Sequence, residues 1–331
     1  MNHVFILGAG ATKAAVDKAP LGQALIWESD YLKVLSAAEL RSFLELAIEQ
    51  FPELSAHRKS LEDRVCLFTP SGLQKQHYAD EILRRLIESR RQRDVEFLRQ
   101  LIYKHIAGAI FPVHEAPLYL QFARDVLRKR DPKRTSVISF NYDPLLREDW
   151  EHTDSKQRTY FDYLLHFDWV DPSRYYQPEG ALPLIKLNGS FDWLLCEKCG
   201  ALSLTYYQKH PHDYPAPCPQ CQGLAHPQIM LPHEDPRHDF EQLWKKAHSA
   251  LAAAKRITVI GYSFPVYDTR MRALFMEAVA RDISLEIIDW ALPKEREQEG
   301  KRIREEYALL LPGLIRSPVI RLDGFQAYVK N

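Results

Sequence analysis

Four of the five cysteines stand in two closely spaced pairs, Cys196 with Cys199 and Cys218 with Cys221. A Cys-x-x-Cys turn directs two thiolates at one point, and two such turns complete the tetrahedral sulfur set that binds zinc. Because four thiolates leave no position open for water, the metal would be structural and would hold together a small ribbon over residues 196–221. In a 331-residue chain these pairs indicate metal binding in a reducing cytosol rather than a disulfide framework.

A glycine-rich turn follows the first apolar run of the chain. Residues 3–7 read HVFIL, which is typical of a buried parallel strand. Glycines directly after such a strand let the backbone turn tightly and approach a pyrophosphate at the start of a helix. Lys13 stands where the usual dinucleotide fingerprint has its third glycine, so this segment alone leaves nucleotide binding open. The residues of the turn are Gly8, Ala9, Gly10, Ala11 and Thr12.

Polar residues also follow four further runs that predict strands, at 135–140, 183–187, 257–261 and 284–289. Turn and capping chemistry explains one such cluster, but five in order favour a ligand site, because ligands of open parallel sheets bind beyond the carboxyl ends of the strands. The polar and turn residues at these ends are Asn141, Asp143, Asn188, Gly261, Ser263, Asp268 and Asp289.

The alternation of strands with helical segments predicts an α/β fold, a Rossmann-like doubly wound parallel sheet with a helical insertion and a small four-cysteine zinc ribbon. We expect the nucleotide-binding domain to comprise residues 1–20, 131–195 and 222–331. Residues 21–130 keep a helical period of apolar side chains almost throughout, which predicts the insertion.

These blocks resemble those of the sirtuin superfamily in their order and over most of the chain. The turn GAGAT resembles the family's NAD loop, and FNYD (140–143) stands where sirtuins have Gln-Asn-Ile-Asp. The resemblance implies NAD⁺ as ligand, Asn141 and Asp143 at the nicotinamide ribose, and the turns around Gly261, Ser263, Asp268 and Asp289 at the rest of the dinucleotide. FNYD, GYSF (261–264) followed by Asp268, and the long helical insertion resemble the bacterial sirtuin-like NADases of antiphage defence more than the deacylases. AAVDKAPLGQAL (14–25) stands where deacylases have a loop rich in Pro-Asp-Phe-Arg, which argues against deacylation.

One departure from the family concerns the base. KLNGS (186–190) resembles the block that carries the catalytic His-Gly, and Asn188 occupies the histidine position. An amide has no usable basicity near neutral pH. Three explanations stay open: an NAD⁺- or ADP-ribose-binding protein without turnover, a different base such as Asp143, His166 or His233, or a substituted residue that traps ligand.

The remaining expectations concern partners and location. Lys plus Arg equals Asp plus Glu at 44 each, which argues against a chain whose main task is to coat nucleic acid. No apolar run approaches the ~18 residues that a membrane span needs, so we expect a cytoplasmic protein. The resemblance implies a homo-oligomer or a partner protein in a defence complex. The leading hypothesis is an NAD⁺ glycohydrolase with structural zinc, followed by a binding sensor and, last, a deacylase.

Overall fold

The computed structural model describes residues 2–16, 36–52, 55, 58–59, 79–110, 116–148, 160–170, 180–204, 215–231, 234, 238–264 and 268–330. Residues 17–25 of the segment compared with the deacylase loop, and His233, lie outside these ranges. Among the described helices, none has the length and apolarity that a bilayer crossing requires.

Twelve strands are described within these ranges. In chain order they are β1 (His3–Leu7), β2 (Thr135–Ser139), β3 (Phe161–Asp162), β4 (Trp169–Val170), β5 (Leu182–Lys186), β6 (Gly189–Cys196), β7 (Leu202–Leu204), β8 (Ala216–Pro217), β9 (Leu224–Ile229), β10 (Arg256–Ile260), β11 (Ser284–Ile288) and β12 (Val319–Arg321).

The main sheet has seven parallel strands in the order β12-β11-β10-β1-β2-β5-β3. Its central strands are short apolar runs that are buried on both faces, as β1 is along its whole length. Such runs suit a parallel sheet that helices cover on both sides. The doubly wound parallel sheet predicted from the sequence is confirmed, and its five predicted strands lie within one residue of the observed bounds.

A second sheet of five strands, in the order β4-β7-β6-β9-β8, carries the cysteines. Strand β6 pairs antiparallel with β7 and β9, and its register with β9 shifts between Ser190 and Leu194. The sequence did not predict this sheet, because several of its strands are only two or three residues long. Strand β6 begins within the residues assigned above to the nucleotide domain, and the domain boundaries stay a prediction.

Helices account for most of the remaining described chain. They are α1 (Ala9–Ala15), α2 (Ala37–Gln50), α3 (Ala79–Glu88), α4 (Gln92–Ile110), α5 (Pro117–Gln121), α6 (Leu145–Glu148), α7 (His238–Ala253), α8 (Thr269–Ala278), α9 (Arg296–Leu310) and α10 (Phe325–Lys330). Helix α5 continues without a break into a π-helical segment, Phe122–Leu127.

The helices α2 to α4 occupy the range predicted as an insertion, and α4 is bonded to the second sheet. Ser36 and Glu39 form a capping box that begins α2. On α4, Arg99 is mostly buried, donates to the carbonyl of Ile229 at 2.6 Å and pairs with Glu234. The free-energy cost of burying this guanidinium is offset, because it donates hydrogen bonds to a carbonyl and to a carboxylate.

Candidate nucleotide site and cysteine cluster

The order of the main sheet defines a crevice between β1 and β10. From β1 the chain builds β2, β5 and β3 on one side, and it then crosses to build β10, β11 and β12 on the other. The strand order therefore reverses at β1, and in open α/β sheets a ligand lies at such a point, beyond the carboxyl ends of the strands. The glycine turn after β1 and the Gly261 turn after β10 both lie there.

Close backbone contact between these two turns requires their glycines. Gly10 donates its N–H to the Gly261 carbonyl at 2.9 Å. A Cβ on Gly8 would stand 2.5 Å from that same oxygen, and Gly261 has a φ of +60°, which an L side chain disfavours. Packing alone thus accounts for glycine at these three positions, and the N–H of Gly10 is already bonded.

A buried polar network joins the turn after β1 to the turn after β2. Asn141 donates its side-chain amide to the carbonyl of Gly8 at 2.9 Å and to Tyr119 Oη at 3.3 Å. Thr12 donates its hydroxyl to Asp143 Oδ2 at 2.7 Å and lies 3.0 Å from Tyr119 Oη. All four side chains are buried. The predicted residues Gly8, Thr12, Asn141 and Asp143 are thus in direct contact.

Two members of this site escaped the sequence analysis. Burial, with the charge of Asp143 second, raises the pKa of Tyr119 well above its usual value, so its hydroxyl stays protonated. Lys186, at the end of β5, is buried and donates its ammonium to the carbonyls of Asn141, at 2.8 Å, and Asp143. A lysine at the end of an apolar run is unusual enough to mark Lys186 as a candidate site residue from the sequence. Nothing in the sequence near Tyr119 indicates the role of that tyrosine.

Asn188 lies beside this network at the turn between β5 and β6. It donates its side-chain amide to the carbonyl of Phe140 at 3.1 Å, and its own carbonyl accepts from Met230 at 2.9 Å. Gly189 follows with a φ of +77°, and a Cβ there would meet the carbonyl oxygen of Gln228 at 2.1 Å. Glycine is therefore obligatory at this turn, and it fixes where the Asn188 backbone lies.

The structure describes two of the three residues considered above as an alternative base, Asp143 and His166. Asp143 accepts from Thr12 on one oxygen and from the Leu145 N–H, at 3.1 Å, on the other. Both carboxylate oxygens of Asp143 thus accept hydrogen bonds from the protein, as expected of a carboxylate that positions its neighbours. His166 is exposed on the connection between β3 and β4.

The turn after β10 is anchored by aromatic packing. Tyr262 stacks on Phe140 with 4.5 Å between ring centroids, which joins the ends of β10 and β2. Its hydroxyl donates to Asp268, which also caps α8 by accepting from Met271 at 3.1 Å. Phe264 has a φ of +48°, rare for a residue with a side chain and typical of a locally strained loop.

Two predicted residues lie further out on this edge. Ser263 is exposed. Asp289 follows β11, accepts from the Trp290 N–H at 2.8 Å and donates its own N–H to the carbonyl of Arg321 at 2.9 Å. Burial, with the charge of Glu299 as a smaller cause, raises the pKa of Asp289.

The four paired cysteines converge on one point. Their sulfur atoms all lie within 4.8 Å of one another. The Sγ atoms of Cys196 and Cys221 are 3.4 Å apart and those of Cys199 and Cys218 are 3.8 Å apart. The edge of a tetrahedron with Zn–S bonds of ~2.3 Å is ~3.8 Å, so the donor set fits a closed zinc site. The N–H of Cys199, as the largest cause, lowers the pKa of the Cys196 thiol to about 6.

Solved structures of Sir2 proteins are similar to this chain over nearly its whole length. A Sir2 homologue in complex with NAD is 14% identical with a TM-score of 0.47, over 99% of this chain and 89% of that one. Sir2 with a p53 peptide and NAD⁺ is 11% identical with a TM-score of 0.46, over 99% and 90%. Sir2Tm bound to a propionylated peptide is 11% identical with a TM-score of 0.44, over 99% and 90%. No protein-family model and no curated protein matches the sequence. Identities this low say nothing of substrate or reaction.

Proposed function

We propose that this protein binds NAD⁺ at the crevice between β1 and β10 and cleaves it to nicotinamide and ADP-ribose. The observation that carries the proposal is the joining, at the topological switch point, of the turns after β1, β2 and β10. Asn141 bonds Gly8 at 2.9 Å, Thr12 bonds Asp143 at 2.7 Å, and Gly10 bonds Gly261 at 2.9 Å. Sites that act by positioning need such a rigid, mutually bonded edge.

The chemistry available to these residues is dissociative cleavage of the nicotinamide–ribose bond. In that reaction the neutral nicotinamide leaves first, and water then attacks an oxocarbenium-like ribose. The protein's task is to hold the ribose and exclude alternative nucleophiles, while a base contributes the final proton transfer. Asp143, held by Thr12 and the Leu145 N–H, supplies fixed negative charge near the developing cation, and Asn141 orients the ribose or the water. Absence of a positioned base lowers the rate by about 10²–10⁴.

A second candidate is binding without turnover, and Asn188 favours it. Its amide donates to the Phe140 carbonyl and carries no proton-accepting nitrogen. With Asn188 at this place, the site would retain NAD⁺ or ADP-ribose and signal its presence as a sensor or a subunit of a complex.

Zinc in the cysteine cluster would be structural, because four thiolates complete its coordination. A role in antiphage defence, a homo-oligomer and a defence-complex partner are carried by the sequence resemblance alone. Deacylation is the least favoured reaction, for the loop difference at residues 14–25.

The test is nicotinamide release from NAD⁺ by purified protein, followed by chromatography, with Asn141→Ala and Asn188→His in parallel. Hydrolysis predicts release by the unaltered protein and its loss in Asn141→Ala. Asn2→Ala is the matched control, because Asn2 contributes its backbone carbonyl to Lys255 and Arg256. Release only in Asn188→His would establish the binding candidate. No release from any variant, together with no NAD⁺ binding by calorimetry, would refute both.

A further inference from the structure

A second concave surface lies away from the nucleotide crevice and is strongly basic. It is a groove of about 730 Å³ between the π-helical segment, helix α10 and one face of the main sheet. We call it the basic groove. Its cationic lining residues are Arg124, Lys129, Arg130, Arg256, Arg321 and Lys330.

The charge of the groove is concentrated locally. Six cationic side chains line it against two acidic ones, Asp125 and Glu286, in a chain whose formal net charge is zero. Lys129, Arg130 and Lys330 are exposed and form no ion pair with any other residue of the described ranges. Unpaired cations on converging walls raise the local concentration of anions.

The floor of the groove holds two arginines in fixed positions. Glu286, of which only 6% of the side chain is exposed, accepts from Arg256 at 2.7 Å and from Arg321 at 2.9 Å. Each arginine side chain is 40% exposed, and each guanidinium has further N–H donors beyond these bonds. Because Glu286 holds both arginine side chains in place, their remaining N–H donors are already positioned for an anion. Such pre-positioning lowers the conformational-entropy cost of binding a phosphate.

Buried His3 is connected to Glu286 through Thr258, whose hydroxyl lies 3.4 Å from Glu286 Oε2. His3 bonds Thr258 Oγ1 at 2.9 Å. Burial, then the charges of Arg256 and Arg130, lower its pKa to about 3. Both arginines line the groove, so their field reaches into the sheet.

We propose that the basic groove is a binding site for a small molecule that carries two or more phosphate groups. Its volume falls within the range of small-molecule pockets, about 300–1,000 Å³. Guanidinium pairs match phosphate oxygens bidentately, and the lysines on the walls add point charges for a second phosphate. Tyr328, which also lines the groove, offers an aromatic surface beside Arg321.

The shape favours a small polyanion over a nucleic acid. Duplex binding requires an extended basic surface, whereas this chain balances 44 cationic with 44 acidic residues and confines the excess to one groove. The groove is also separate from the proposed NAD⁺ crevice, whose residues follow the carboxyl ends of β1, β2 and β10. The inference therefore does not rest on the proposed function.

Calorimetric titration with inorganic triphosphate tests the inference, because that probe has neither base nor ribose. The test variant combines Lys129→Gln, Arg130→Gln and Lys330→Gln, all on exposed side chains. We expect saturable binding by the unaltered protein and a loss of about tenfold or more in affinity in the variant. Because these three residues line the groove and not the crevice, a loss of affinity in this variant separates the groove from the crevice.

The matched control combines Lys245→Gln, Lys294→Gln and Lys301→Gln, which removes the same charge from exposed positions outside the groove. We expect its triphosphate affinity to stay within about twofold of that of the unaltered protein. An equal loss in this control would show diffuse charge attraction and overturn the proposal. So would no measurable heat of binding, or tighter binding of a DNA duplex than of triphosphate.

Discussion

His3 makes the stability of this fold depend on pH in a way that one substitution should reveal. The imidazole is buried on β1, bonds Thr258 at 2.9 Å and stacks on Phe5. Burial, followed by Arg256 and Arg130, lowers its pKa to about 3 from 6.5. The folded protein therefore holds this group neutral where the unfolded chain protonates it. Its contribution to stability is complete above pH 6.5 and is lost as pH falls towards 3.

The size of the effect follows from linkage. One pH unit corresponds to about 1.4 kcal/mol for one proton, so the whole interval corresponds to ~5 kcal/mol, an order-of-magnitude figure. Between pH 6 and pH 4.5 the unaltered protein should lose about 2 kcal/mol more unfolding free energy than His3→Gln does. Glutamine keeps a donor for Thr258 and does not titrate.

Urea unfolding followed by tryptophan fluorescence at several pH values measures this difference. All other titrating groups, the cysteine cluster included, are present in both proteins, so their contributions to the pH dependence of unfolding cancel in the comparison. His248→Gln, on the exposed face of α7, controls for loss of a histidine as such and should follow the unaltered protein. Parallel pH profiles for the unaltered protein and His3→Gln would refute the argument that His3 is held neutral.

Three further predictions concern the metal, a turn and the buried lysine. Metal analysis should find one zinc per chain, lost in Cys218→Ser but kept in Cys66→Ser, and chelation should lower the thermal midpoint because metal binding is coupled to folding of the ribbon. Gly189→Ala should lower the unfolding free energy by ~3 kcal/mol or more in urea titration, since its Cβ would stand 2.1 Å from the carbonyl oxygen of Gln228; unchanged stability would contradict the geometry. Lys186→Met leaves two buried carbonyls without their donor, so it should cost ~1–3 kcal/mol of stability and weaken NAD⁺ binding about tenfold, whereas exposed Lys245→Met should do neither.

The parts of the fold that the sequence predicted are those with strong local patterns. β1, β10 and β11 are uninterrupted apolar runs, and buried parallel strands have that pattern for a physical reason. β12, three residues long, and the strands β7 and β8 have too few side chains to show a period. Their existence depends on pairing partners far away in the chain.

The candidate site likewise contains residues that could be predicted from the sequence and residues that could not. Asn141 and Asp143 were recognisable because they follow a strand in a motif, and the structure places both beside the glycine turn. Tyr119 was not, because its partners Thr12 and Asn141 are 107 and 22 residues away and meet it only after the sheet has formed. The glycine turn was interpreted from ligand chemistry alone, whereas the packing of Gly8 and Gly10 on Gly261 already demands those residues.

The π-helical segment that continues α5 limits which insertions and deletions this chain can tolerate during evolution. Tyr119, which contacts Thr12 and Asn141, and Arg124, which lines the basic groove, stand on one unbroken helical path. Each residue in an α-helix advances the direction of its side chain by about 100°, so loss of one residue from the wide turns would rotate everything beyond it by that angle. Such a deletion would preserve helix and hydrophobicity yet turn the arginine away from its groove. Single-residue insertions and deletions between Tyr119 and Arg124 should therefore be selected against more strongly than substitutions there.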